Sequence, residues 1–207
     1  MPNWCTNVLS IEECYKSHVL NDKGEVDFGI LVPMPDSLNV TSGSITDEAI
    51  AVYKYRQFGN TDPIRSMMFK RNINSNIEDY VKQLEKEYVS LKADRATDYE
   101  KEHCKTLADL GKTYVDNEYK YGFATWYDWC CKNWGTKWNA CDTYNSVGGT
   151  VSFSTAWAPP TAWLKVLAER KIPFILEWEE EGGYAGTISF DGKKWNEETH
   201  MIEYEEE

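Results

Sequence analysis

Hydrolytic or group-transfer chemistry needs a nucleophile beside a base, or carboxylates that converge on one bond. The three histidines, His18, His103 and His200, stand singly, and the chain has no G-x-S-x-G, H-E-x-x-H or C-x-x-C pattern. Asp128 followed by Cys130 and Cys131 is the nearest approach to a thiol with an acidic neighbour. Those residues lie on or beside a dense apolar stripe, where buried reduced thiols are the simpler account. Neighbouring Cys130 and Cys131 project in different directions from a helix or strand, so a shared metal is geometrically awkward. No catalytic residue, metal or cofactor is expected; an enzyme with an unrecognised site stays as an alternative.

Charge is the stronger chemical signal. The formal net charge is −12, and between Glu177 and Glu207 stand eleven carboxylates against Lys193 and Lys194. Such a concentration costs self-repulsion, and its physical uses are solubility, repulsion of nucleic acid and attraction of a basic surface. Six glutamates are the candidate partner-binding residues: Glu177, Glu179, Glu180, Glu181, Glu203 and Glu205. Glu206 and Glu207 extend the same run. The competing account is the solvated face of a one-sided sheet plus a frayed tail. Direct nucleic-acid binding, the other alternative, has only Arg56, Arg65, Lys70 and Arg71 as a modest basic cluster.

Eight of nine tryptophans fall between Trp126 and Trp195. Aromatic clusters stack bases, sugars or peptides, but helical spacing of Trp126 and Trp134 and strand alternation of Trp157 and Trp178 favour core packing. Trp138 and Trp195 are the expected exposed members. The turn Asn133-Trp134-Gly135-Thr136-Lys137 offers polar contacts, yet a helix end presents carbonyls and suits a structural junction better than an anion site.

Several elements must position these residues. Asn3 to Glu12 alternates as a strand, and Val26 to Val32 reads as a second extended piece ended by Pro33 and Pro35. A helix capped by Thr46 or Asp47 runs to Phe58, and Asp62-Pro63 reads as a break. Ile77, Tyr80, Val81, Leu84, Tyr88 and Leu91 form one helical stripe. Cys104, Leu107, Leu110 and Tyr114 form the next, in a helical hairpin or long bent helix. Tyr119, Phe123, Trp126, Cys130 and Trp134 continue the period until Gly135. Then come strands over Thr136 to Tyr144 and Thr150 to Trp157, and a helix from Thr161 to Lys171. A hairpin of Phe174 to Glu179 with Tyr184 to Phe190 follows, and a last edge strand over His200 to Glu206. This is an α+β chain, an antiparallel sheet with helices on one face, in one domain of 207 residues with a mainly helical insertion at about 46–134.

Four strings resemble one family: Pro2-Asn3-Trp4-Cys5-Thr6-Asn7; Val32-Pro33-Met34-Pro35; Asp128-Trp129-Cys130 with Asn133 to Asn139; and Phe153 to Pro160. Together they resemble the YubB-type ferredoxin-like domain family of phage and plasmid genomes. The resemblance implies a βαββαβ sheet without iron–sulfur chemistry and a mobile-element origin, and it supplies no catalytic residues. The segment Cys14 to Gly24 is too short and polar for a first crossover helix. The expected function is a phage or mobile-element accessory protein that binds, and inhibits, a host protein with a basic surface, such as a defence nuclease. The chain has no basic, apolar leader and no membrane-length apolar run, so a host-cytoplasmic location is expected. Oligomeric state is left open.

Overall fold

The computed structural model describes residues 3–145 and 149–202. Two compact units emerge, a sheet unit of Met1–Met34 with Tyr127–Glu207 and a helical unit of Pro35–Trp126. Along the chain run β1 (Trp4–Ile11), α1 (Ser44–Phe58), α2 (Asp62–Lys70), α3 (Ile77–Arg95), α4 (Asp98–His103) and α5 (Leu107–Tyr121). They are followed by α6 (Trp126–Asn133), β2 (Cys141–Asn145), β3 (Thr150–Ala156), α7 (Thr161–Glu169), β4 (Phe174–Glu180), β5 (Tyr184–Phe190) and β6 (Trp195–Met201).

The sheet order is β2-β3-β1-β4-β5-β6, with every neighbouring pair antiparallel. Its first four strands have the ferredoxin-like arrangement, with β5 and β6 added as a meander. The crossover helix that Cys14 to Gly24 cannot supply is α6, which comes only after the helical unit; Glu13–His18 form a 3-10 turn instead. The fold is thus α+β with a ferredoxin-like antiparallel sheet.

Strand alternation sends consecutive side chains to opposite faces. Val151, Leu9, Leu176 and Ile188 lie in register across four strands and are at most 1% exposed. Trp163, Leu164 and Leu167 of α7 are buried in the same unit. Each such side chain contributes roughly 1.5–3 kcal/mol relative to exposure. Phe28 plugs the core, its ring 4.8 Å from Trp163 and 6.1 Å from Phe153. This corrects the extended reading of Val26 to Val32: only Val26 makes a bridge, to Leu20, and Phe28–Ile30 form a 3-10 turn. Polar anchors win over alternation there, since Asp27 accepts from the Gly29 amide and Asn139 links Asp27 to the Phe28 amide.

In the helical unit α1 and α5 pack closely, because Gly111 leaves no side chain where a Cβ would lie 2.0 Å from the Ala49 carbonyl oxygen. Asn76 caps α3 by accepting from the Asp79 amide, and Thr97 and Thr106 open α4 and α5 with reciprocal capping boxes. Several boundaries differ from expectation, among them β2, which begins at Cys141 rather than Thr136. α1 begins at Ser44 after Gly43 rather than after a cap at Thr46 or Asp47. Pro63 occupies the first turn of α2, where its missing N–H costs nothing, rather than breaking the chain. Gly122 ends α5 in the left-handed region, so the stripe from Tyr119 to Trp134 is not continuous and Tyr119 is 94% exposed. β6 occupies Trp195–Met201, ahead of the expected His200 to Glu206, and Tyr204 lies outside the described residues.

Candidate functional site

The face of the sheet opposite the core carries short polar side chains and carboxylates, with Val8, Ala185 and exposed Ile175 among them. One row across it reads Ser152, Val8, Glu177, Thr187 and Glu198, each opposite the next. A second reads Ser154, Thr6, Glu179, Ala185 and His200. A shallow depression of about 300 Å³ lies over Thr6, Val8, Glu177, Glu179, Thr187 and His200. None of the six strands contains a lysine or an arginine. Among the described residues no ion pair involves Glu177, Glu179 or Glu198.

The six sequence-selected glutamates do not all share this surface. Glu177 and Glu179 stand exposed on it. Glu180 has the opposite parity, aligned with Trp178 on the core side, and is partly buried at the strand end. Glu181 lies just past β4, where its carboxylate accepts from the Trp4 amide at 2.9 Å and its own amide donates to the Trp4 carbonyl. Glu203 and Glu205 lie outside the described residues. Glu198, unselected from sequence, joins Glu177 and Glu179; the signal that would have found it is the β6 register, hidden because β6 is polar on both faces.

The other candidates have separate fates. Arg56 donates to Glu85 and Glu78 at 3.0 Å, and the Glu85 contact leads in pushing its guanidinium up. Arg71 pairs with Glu48 and donates to the Tyr80 hydroxyl. Half of the modest basic cluster is therefore already engaged by carboxylates. Burial pushes the Cys130 thiol up to about 12 and raises Cys131, where Asp128 adds to the rise and Lys137 opposes it. Thiolate chemistry is suppressed at both. His103 stacks on Tyr99 at 4.2 Å, in the helical unit, while His18 meets Tyr15 edge-on and His200 lies on the open sheet face. Among the described residues no three His, Cys, Asp or Glu side chains are arranged to hold a metal, and no helix is long and apolar enough to cross a membrane.

The four strings of the resemblance converge on one junction of the sheet unit. Asn7, fully buried, donates to the Cys5 carbonyl and the Thr155 hydroxyl, and Thr155 donates to the Ala158 carbonyl. Trp134 donates from its indole to the Val32 carbonyl at 2.9 Å. Gly135, at φ 87°, passes so near α7 that a Cβ would lie 2.9 Å from the Thr161 and Ala162 amide nitrogens. Thr136 donates to the Ala156 carbonyl. The turn after α6 is accordingly a helix-to-strand junction.

The chain bends at Trp157, and this corrects the inward placement from strand parity. Trp157 follows β3 with φ 74°, a left-handed conformation unusual for a bulky residue, and is 40% exposed. Its amide donates to the Asn3 carbonyl at 2.9 Å. The Lys137 ammonium lies 4.5 Å from the Trp138 ring centre, 5.0 Å from Trp157 and 5.5 Å from Tyr127. Trp138, exposed as expected at 37%, also meets Trp4 at 6.2 Å. Trp163, by contrast, is core.

No curated protein matches the chain. A solved structure, the crystal structure of a protein api92 from Yersinia pseudotuberculosis, aligns over 99% of this chain and all of that one, at 12% identity and a TM-score of 0.41. Residues 133–207, which carry β2 to β6 and α7, match the family model described as the ferredoxin-like domain in Api92-like protein.

Proposed function

We propose that this chain works by binding a basic protein surface on the open face of its sheet, and that it does so as an accessory protein of a phage or other mobile element acting on a host protein. The single observation that supports this most is the absence of any lysine or arginine from the six strands, while Glu177, Glu179 and Glu198 share one uncovered face. Carboxylates without local counter-charge accelerate encounter with a basic partner and repel nucleic acid. A partner that itself grips nucleic acid, such as a defence nuclease, would lose its groove to this face. Inhibition is then steric and electrostatic, with no catalytic step.

The test compares immobilised wild-type chain with the Glu177→Lys, Glu179→Lys double variant in host lysate at low and high salt. One basic protein retained by the wild type, released as salt rises and not retained by an equally stable variant, is the expected result. Equal retention by both chains would sink the proposal.

A further inference from the structure

The three rings around Lys137 do more than shield an alkyl chain. Tyr127 belongs to α6, Trp138 follows Lys137 in the turn after it and Trp157 comes just after β3, yet all three hold the same ammonium within 5.5 Å. An ammonium or guanidinium is attracted to the negative face of an aromatic ring, most strongly to tryptophan, and several rings around one point make a cage selective for organic cations. Such a cage needs fixed walls. The Trp157 wall is fixed at a conformational cost, with the left-handed backbone held by the Asn3 carbonyl and by the Thr155 and Thr136 hydroxyls on either side. It also needs an entrance, and Trp138 and Trp157 are both more than one-third exposed. The occupant is a flexible four-carbon stem that swings out without disturbing the backbone.

The surroundings add complementary charge. Trp138 packs on Trp4, whose amide is held by the Glu181 carboxylate, and the next outward residue of β1, Thr6, lies opposite Glu179. The aromatic cluster therefore borders the open carboxylate face described above.

We propose that Tyr127, Trp138 and Trp157 form a cation box that Lys137 fills in the free chain and that a lysine or arginine side chain of a basic partner enters in its place. This deepens the reading of the sheet unit as a docking surface and rests on it. The box supplies the anchor, and the carboxylates supply the attraction.

The decisive experiment titrates full-length Lys137→Ala with N-acetyl-arginine amide and with tetramethylammonium chloride. Indole N–H resonances are followed by NMR against sodium chloride at matched ionic strength. Selective shifts at Trp138 and Trp157, with affinity about tenfold above wild type because the internal competitor is gone, are expected. Adding Trp157→Ala should remove them. If Lys137→Ala does not fold, Lys137→Gln serves the same purpose. Absence of selective shifts in a folded Lys137 variant overturns the box, as do shifts produced by a short oligodeoxythymidine and by neither cation. Adding Glu177→Lys and Glu179→Lys to Lys137→Ala separates the two proposals: the indole shifts persist there, whereas equal lysate retention by wild type and the Glu177→Lys, Glu179→Lys chain would count against the sheet face alone.

Discussion

The helical unit and the sheet unit use charge in opposite ways. Around α1 and α3, Arg56 and Arg71 are engaged by Glu78, Glu85 and Glu48, so positive and negative groups close on each other. On the sheet, Glu177, Glu179 and Glu198 have no lysine or arginine in their own strands. The contrast teaches that charge closes on itself in the helical unit, whereas on the open face of the sheet Glu177, Glu179 and Glu198 make no ion pair among the described residues. Backbone packing differs too, since the helical unit brings α5 against α1 at Gly111 whereas the sheet unit covers one face and leaves the other open.

Substitutions can break this contrast or sharpen it. The largest effect is expected from Gly111→Ala, whose methyl would collide with the Ala49 carbonyl. Because neither backbone can yield cheaply, it should cost at least about 3 kcal/mol in chemical denaturation followed by circular dichroism. Next, Leu9→Ala, on the buried face of β1, should cost about 3 kcal/mol, while the adjacent Val8→Ala on the open face should cost less than about 1 kcal/mol. Comparable losses would mean that the outer face is covered.

Arg56→Ala should cost about 1 kcal/mol or less, because its pairs are part-exposed and screened by solvent. Its pH dependence has a definite sign. The Arg56 hydrogen bond holds Glu78 below the usual carboxylate value of 4.5, so the fold binds this proton more weakly than the unfolded chain does. The stabilisation is present above 4.5 and fades as pH falls below it; the gap between wild type and Arg56→Ala should therefore narrow in acid. Smallest of all, Glu177→Lys and Glu179→Lys should change stability by less than about 0.5 kcal/mol, because both are exposed and make no ion pair among the described residues. A clear loss would assign them a structural role.

A further check concerns thiols. Burial pushes Cys5 and Cys130 up to about 12, above the ordinary 9.0, so the fold favours their protonated forms. Their contribution is intact below 9 and is lost as pH rises toward 12. At pH 8 a disulfide reagent should label exposed Cys14 well before either of them.

Much of the sheet was legible because one buried face imposes a period of two. β1, β3, β4 and β5 all show it, and Glu177 and Glu179 fall on the open face for that reason. β6 was not legible: Asn196 to Met201 is exposed on both faces, so no alternation marks it, and the eye moves to Ile202 and Tyr204 instead. Trp157 was misplaced because periodicity assumes that the strand continues, whereas its backbone turns left-handed. The aromatic box was invisible because its three walls come from separate elements. Glycine ended α1 as expected at Gly59, but Gly122 stopped α5 inside a stripe read as continuous, and Pro63 starts a helix as readily as it stops one.

The placement of β1 has a consequence for biosynthesis. Its partners are β3 and β4, so Leu9 must await Val151 and then Leu176 before its backbone and side chain find their native neighbours. The helical unit lies between and is complete in sequence long before either arrives. On the ribosome the first strand therefore emerges as an unsatisfied apolar ribbon while local helices form behind it, and late long-range pairing of this kind is slow and exposes the nascent chain to misassociation.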